Sequence, residues 1–196
     1  NPVAARLLCM CAFLHAADIP EELFTAGDFA LPAAYHPLAA DELALTQALR
    51  ALGRYSFVRH STEERTVSIH RLVQDVLGDH MSYEARFRWA SHAVWAVTRT
   101  LSHLPPGAWN RYQRYIPHAL VCVKLVDAWK IYYEATVYLM IITGAYLREI
   151  ASYRQAEPIC RRALECTRKL LAPEHDYVIL ALHNVGLLYE HWGDYE

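Results

Sequence analysis

Glycine is scarce in this chain, at seven residues in 196. None of the seven lies in a G-x-x-x-x-G-K-[ST] loop, and nothing resembles an acidic strand end for magnesium, so the chain cannot hold or hydrolyse a nucleotide unaided. Neither sign of charge is in excess. The formal net charge is -2 and the pI about 6.6, with Lys and Arg scattered, so no basic field draws nucleic acid or anionic lipid. Cysteine is too sparse and too odd in number for a disulfide framework. Cys9, Cys11, Cys122, Cys160 and Cys166 lie in apolar helical runs, as reduced core thiols of a cytoplasmic protein do. Cys9-Met10-Cys11 has no second Cys or His pair at zinc-finger spacing, and the eleven histidines form neither H-E-x-x-H nor H-x-x-x-H, so no metal site is expected. No G-x-S-x-G occurs, and no catalytic residue is assigned. The longest apolar run, Ile131 to Leu147, is interrupted by Glu134, Thr136, Thr143 and Gly144, which reads as a buried helix rather than a membrane span. The opening lacks an initiator methionine and a charged n-region. An excised piece of a longer protein is the expectation.

What is present is ample core material: 54% of residues are hydrophobic and 20% charged, enough for one or two packed domains. Val3, Leu7, Leu8, Cys11 and Leu14 share one face of a first helix, which Asp18 and Pro20 separate from a short second one, "PEELFTAG", ending at Gly27. After the loop "FALPAAYHPLAA", Asp41 is placed to cap a third helix with Leu45, Leu49 and Leu52 inward and Gly53 as its stop. "RYSFVRH" and "RTVSIH" then read as two strands about the polar turn Ser61 to Glu64. Three helices, a two-stranded wing and a closing helix compose a winged-helix domain over residues 1–82.

The closing junction, "VSIHRLVQDVL", is the most informative stretch. Val67 and Ile69 alternate with Thr66 and Ser68 at period two, whereas Leu72, Val73, Val76 and Leu77 recur at helical spacing. His70 falls where the period changes, beside a helix N-terminus. Unpaired N–H groups and the positive end of the helix dipole favour an anion there. The alternative reading of a lone histidine is a cap at the strand-helix junction.

From Tyr83 on only helical segments are expected: Glu84 to Leu104, Trp109 to Leu125, Ala128 to Glu149, Tyr153 to Leu171 and Tyr177 to Trp192, with a firm break at "SHLPPGAW". The later segments repeat at 42 residues, which relates Gly144 to Gly186, Tyr153 to Tyr195 and Met140 to Leu182. "NVGLLYEHWGDY" and "YRQAEPICRRAL" resemble the two helices of the tetratricopeptide pattern. The linker "LLAPEHDYV" is similar to that of the longer-linker subclass found in kinesin light chains. Pro158 lies inside the second helix, where a lost hydrogen bond and a kink are expected. The last repeat, lacking its partner helix, should leave an apolar face uncovered. Residues 131–196 are read as tetratricopeptide repeats and 83–130 as a degenerate helical linker region.

A winged helix carrying "IPEELF", "ALRALGRYSFVRH" and "VSIHRLVQDVL", followed by such repeats, resembles the middle and C-terminal part of bacterial STAND signalling NTPases. These are the NB-ARC class related to plant resistance proteins and the apoptosome scaffold. The resemblance implies a mainly α fold: a winged-helix domain with a small β-hairpin wing, then an α-helical superhelix. It implies that His70, matching the histidine of a Met-His-Asp-like motif, contacts the β-phosphate of ADP held by the missing nucleotide-binding domain. Arg71 departs from that motif's acidic third position. No cofactor is implied for the chain alone, and ADP or ATP with Mg for the parent. The implied partners are the protein's own nucleotide-binding domain, a protein or peptide signal on the repeats, and further copies on activation.

Two other readings carry less. A DNA-binding winged helix would read with "DELALTQALRALG", but Gln47 and Arg50 there stand against Asp41 and Glu42, and Arg54, Arg59 and Arg65 around the wing are an ordinary surface. A plain peptide-binding scaffold would use Trp129, Tyr132, Tyr133, Tyr138 and Tyr146, residue types that equally serve inter-helix packing.

Overall fold

The computed structural model describes residues 1–26, 41–105 and 107–193. Gly27, the segment "FALPAAYHPLAA" and Tyr195 lie outside the described residues. By compactness the chain divides into two units, Asn1–Pro105 and Pro106–Glu196.

In the first unit, α1 (Pro2–Cys11) buries Ala4, Leu7, Leu8, Met10 and Cys11 and packs on α3 (Glu42–Gly53) and α5 (Tyr83–Ser102). The short α2 (Glu22–Thr25) buries Leu23 and Phe24 and also meets α5. Asp41 caps α3 as its position implied, its side chain accepting from the Ala44 N–H at 2.8 Å, and Leu45, Leu49 and Leu52 point inward. Gly53 is the last helical residue, but the chain turns three residues later. Ser56 takes the left-handed conformation there (φ 57°).

The sheet is larger than the two-stranded wing expected. The sheet has three antiparallel strands in the order β1 (Ile19–Pro20), β3 (Thr66–Ile69), β2 (Val58–Ser61), with Ile19 opposite Val67 and Val58 opposite Ile69. Asp18 and Pro20 read as a helix break, and they are, but the break itself forms an edge strand. A proline fits there because an edge strand can leave its missing donor facing away from the ladder. Glu21 then ties the hairpin down: its carboxylate accepts from His60 Nε2 at 2.5 Å and Arg65 Nε at 3.2 Å, and Arg65 also reaches Glu42 at 2.7 Å. The sheet leads directly into α4 (Arg71–His80).

The second unit holds α6 (Trp109–Tyr112), α7 (Ile116–Trp129), α8 (Glu134–Glu149), α9 (Tyr153–Leu170) and α10 (Asp176–Gly193). The helix expected over Trp109–Leu125 is two helices, because Pro117 is accommodated only in the first turn of a new one. The next helix starts at Glu134 rather than Ala128. Lys130, left-handed at φ 57°, closes α7, and Thr136 Oγ1 then accepts from the Tyr133 N–H. α9 runs through Pro158. α8 packs against α7, α9 and α10, and Leu147, Ala156, Cys160 and Leu188 form a core between α8, α9 and α10.

Candidate functional site

His70 stands where the change of period placed it, between β3 and α4. Two hydrogen bonds and the burial of Ile69 fix the strand end that delivers it. Ile69 is buried and its N–H donates to the Ala16 carbonyl at 2.8 Å, while Ser68 Oγ accepts from the Asp18 N–H at 3.1 Å. His70 itself is extended (φ -72°, ψ 136°) and exposed, and it is the N-cap of α4: Nδ1 accepts from the Leu72 N–H at 3.2 Å. An Nδ1 that accepts carries no proton. The imidazole is therefore neutral with its hydrogen on Nε2, the remaining polar atom available to donate outward.

The cap limits how His70 can meet an anion. A charged imidazole makes the stronger hydrogen bond to an anion, yet protonating Nδ1 would replace the cap by a clash of donors. The capping and anion-contacting roles are compatible in one ring only when it is neutral. A second histidine in the chain shows the arrangement at work. His175 Nδ1 accepts from the Tyr177 N–H at 3.1 Å at the start of α10, and its Nε2 faces the Glu134 carboxylate at 3.5 Å. In the sequence His175 is one residue of the linker between repeats; only the fold brings Glu134 to it.

Around His70 the surface is partly apolar. α4 buries no residue completely, and Leu72 and Val76 are 66% and 56% exposed. Arg71, the departure from the acidic third position, is also exposed. Gln74 tethers the helix that follows His70. Gln74 Nε2 donates to the carbonyls of Cys11 at 2.7 Å and Leu14 at 3.0 Å, joining α4 to the end of α1. Its position four residues after His70 was the available signal.

The surface proposed for DNA contact is divided. Gln47 and Arg50 on α3 are exposed, as are Arg54 and Arg59, but Arg65 is bound to Glu21 and Glu42. In the second unit the aromatic residues are engaged in packing. Tyr146 is buried edge-on against Trp109, Tyr138 lies beside Tyr177, and Tyr132 donates to Asp127 while receiving Arg162. A groove of about 430 Å³ between α9 and α10 is lined by Arg161, Leu164, Arg168, Val185 and Tyr189 among others. Among the described residues no three His, Cys, Asp or Glu side chains converge as metal ligands, and no helix is long and apolar enough to cross a membrane.

Burial raises the thiol pKa values throughout: Cys11 is pushed up to about 12 by desolvation first and by nearby Cys9 second, and Cys160 to about 11 by desolvation against the opposing pull of Arg148.

Two known families match separate stretches of the chain. Residues 140–196 match the tetratricopeptide repeat. The C-terminal helices form a tetratricopeptide repeat region. Within it, α8 and α9 are the paired helices of one repeat and α10 starts the next, 42 residues after α8. Residues 1–86 match a "Domain of unknown function (DUF7779)". Over 176 residues the chain is 28% identical to a "Nucleotide-binding leucine-rich repeat (NLR)-like protein" from Hyaloscypha variabilis, a match covering 89% of this chain and 16% of that protein. The chain thus spans about a sixth of the length of the curated relative. No solved structure matches it. No catalytic domain was matched alongside the repeats and the N-terminal domain.

Proposed function

We propose that this chain is the regulatory and sensor portion of a STAND-type NTPase switch in the cytoplasm. Residues 1–82 act as a winged helix that closes on the protein's own nucleotide-binding domain. Residues 83–130 act as a helical linker, and the repeats of residues 131–196 receive a protein or peptide signal. ADP favours the closed state, ATP with Mg accompanies opening, and opening exposes surfaces for assembly with further copies. The chain itself performs no catalysis.

The observation that carries this reading is the state of His70. Its Nδ1 is committed to the Leu72 N–H, and its Nε2 donor stands exposed at a helix N-terminus. That is the equipment for recognising a phosphate oxygen supplied by another domain. The exposed Leu72 and Val76 beside it give the covering domain an apolar surface to bury. The similarity to a protein described as nucleotide-binding supports the same setting. The test is the nucleotide content of the purified parent, wild type against His70→Ala: co-purified ADP should fall in the variant, and equal retention would return His70 to a purely capping role.

A further inference from the structure

Helix α4 is short of anchors. Its ten residues bury no side chain completely, and a helix of about that length is marginal on its own in water. Whatever ties it to the unit therefore sets its orientation. From the middle of the helix Gln74 supplies two polar ties, Nε2 donating to the carbonyls of Cys11 and Leu14 at 2.7 and 3.0 Å. Cys11 is the last residue of α1, and its carbonyl, which also accepts from the Leu14 N–H at 3.3 Å, offers Gln74 its second lone pair. A side-chain amide has two donor hydrogens, and both are committed to acceptors at fixed places. Two fixed points resist rotation about the helix axis, which one point does not.

Gln74 and His70 are also linked to each other. They sit one turn apart on the same face of the helix, and the Gln74 N–H donates to the His70 carbonyl at 3.2 Å. We propose that Gln74 is the positioning residue for His70, its two-point attachment to the end of α1 setting the rotation of α4 and so the direction of the His70 Nε2 donor. The functional part of this inference rests on the phosphate reading of His70; the attachment itself does not.

Gln74→Met keeps the length of the side chain and removes both donors. In the 196-residue chain, nitrogen NMR of the His70 imidazole and amide exchange at Leu72 read the consequence without any nucleotide. The wild type should show the Nε2–H tautomer and a protected Leu72 amide. In the variant the tautomers should mix and Leu72 should exchange about tenfold faster or more, while amides of α3 and of α8 keep their rates. An unchanged tautomer with unchanged Leu72 exchange overturns the proposal. If the Met variant unfolds the first unit, Gln74→Ala removes both donors without crowding the end of α1. It should fold and still show mixed tautomers; a wild-type tautomer in it would also overturn the proposal. In the parent, Gln74→Met should lower ADP retention in the direction of His70→Ala, and the double variant should be no worse than His70→Ala alone. If Gln74→Met mixes the tautomers but neither it nor His70→Ala changes ADP retention, the attachment stands and the phosphate reading falls. If His70→Ala releases ADP but Gln74→Met does not, the positioning role falls and the phosphate reading stands.

Discussion

A Cβ added to Gly144 would lie 2.5 Å from Sγ of Cys160, closer than real side-chain contacts allow. Forty-two residues on, a Cβ on Gly186 would meet nothing within 4 Å. The two glycines occupy the same place in successive repeats, but α9 covers the first, and among the described residues nothing covers the second. The flanking residues tell the same story: Val137, Met140 and Leu147 are buried, whereas Ile179, Leu182 and Tyr189, each 42 residues later, are 60%, 46% and 41% exposed.

The contrast predicts opposite responses to one substitution. Gly144→Ala should destabilise the repeat region by about 1–3 kcal/mol through overpacking, and adding Cys160→Ala should recover part of that loss. Gly186→Ala, in open space within a helix, should stabilise it by up to about 1 kcal/mol. Denaturant unfolding of the three variants beside the wild type checks both signs.

Ala151 predicts a gain of the other kind. It is exposed, sits at φ 56° just past α8, and its N–H donates to the Arg148 carbonyl at 2.9 Å while the Ser152 N–H donates to that of Leu147 at 2.8 Å. That pair of bonds is a helix-ending motif whose left-handed residue is usually glycine. Ala151→Gly should raise stability by roughly 1 kcal/mol, read as a higher denaturant midpoint with unchanged m value.

Asn184 joins two repeats through buried polar atoms. Its Oδ1 accepts from the nearly buried Arg148 at 3.2 Å, and its Nδ2 donates to the Ile141 carbonyl at 3.2 Å. Asn184→Leu strips an acceptor from a buried cation and should cost about 2–3 kcal/mol. A change below 0.5 kcal/mol in the unfolding free energy would contradict that account.

The thiols should be inert in the folded chain. Burial raises the pKa of all five, so near neutral pH the reactive thiolate is rarer than for a free cysteine. The sign of the effect is fixed: raising the pH to 9 should still leave Cys11 and Cys160 almost wholly protonated. A thiol-reactive dye should label at most the half-buried Cys9 at a measurable rate until denaturant is added.

The helices of the repeats, the cap at Asp41 and the junction at His70 were legible because each rests on local periodicity or capping chemistry. What was not legible depends on chain segments meeting in space. The edge strand Ile19–Pro20 exists only because β3 runs beside it, and Pro20 masked it in the sequence. Glu21 looked like an ordinary charge of a short helix until the fold set His60 and Arg65 around it. Pro117 did carry the local signal for the break between α6 and α7, but the apolar periodicity on either side of it masked the boundary. At the site, the position of His70 was visible, whereas the commitment of its Nδ1 and the attachment of Gln74 required coordinates.

If the exposed Nε2 of His70 holds a phosphate, the dissociation rate of fluorescently labelled ADP from the full-length parent depends on that histidine. Loss of a hydrogen bond to a charged group should speed release from His70→Ala by about tenfold or more relative to wild type, with His70→Asn, which can still cap the helix, releasing as fast as His70→Ala. Release from both variants within twofold of wild type would rule the phosphate contact out and leave His70 as the cap of α4 alone.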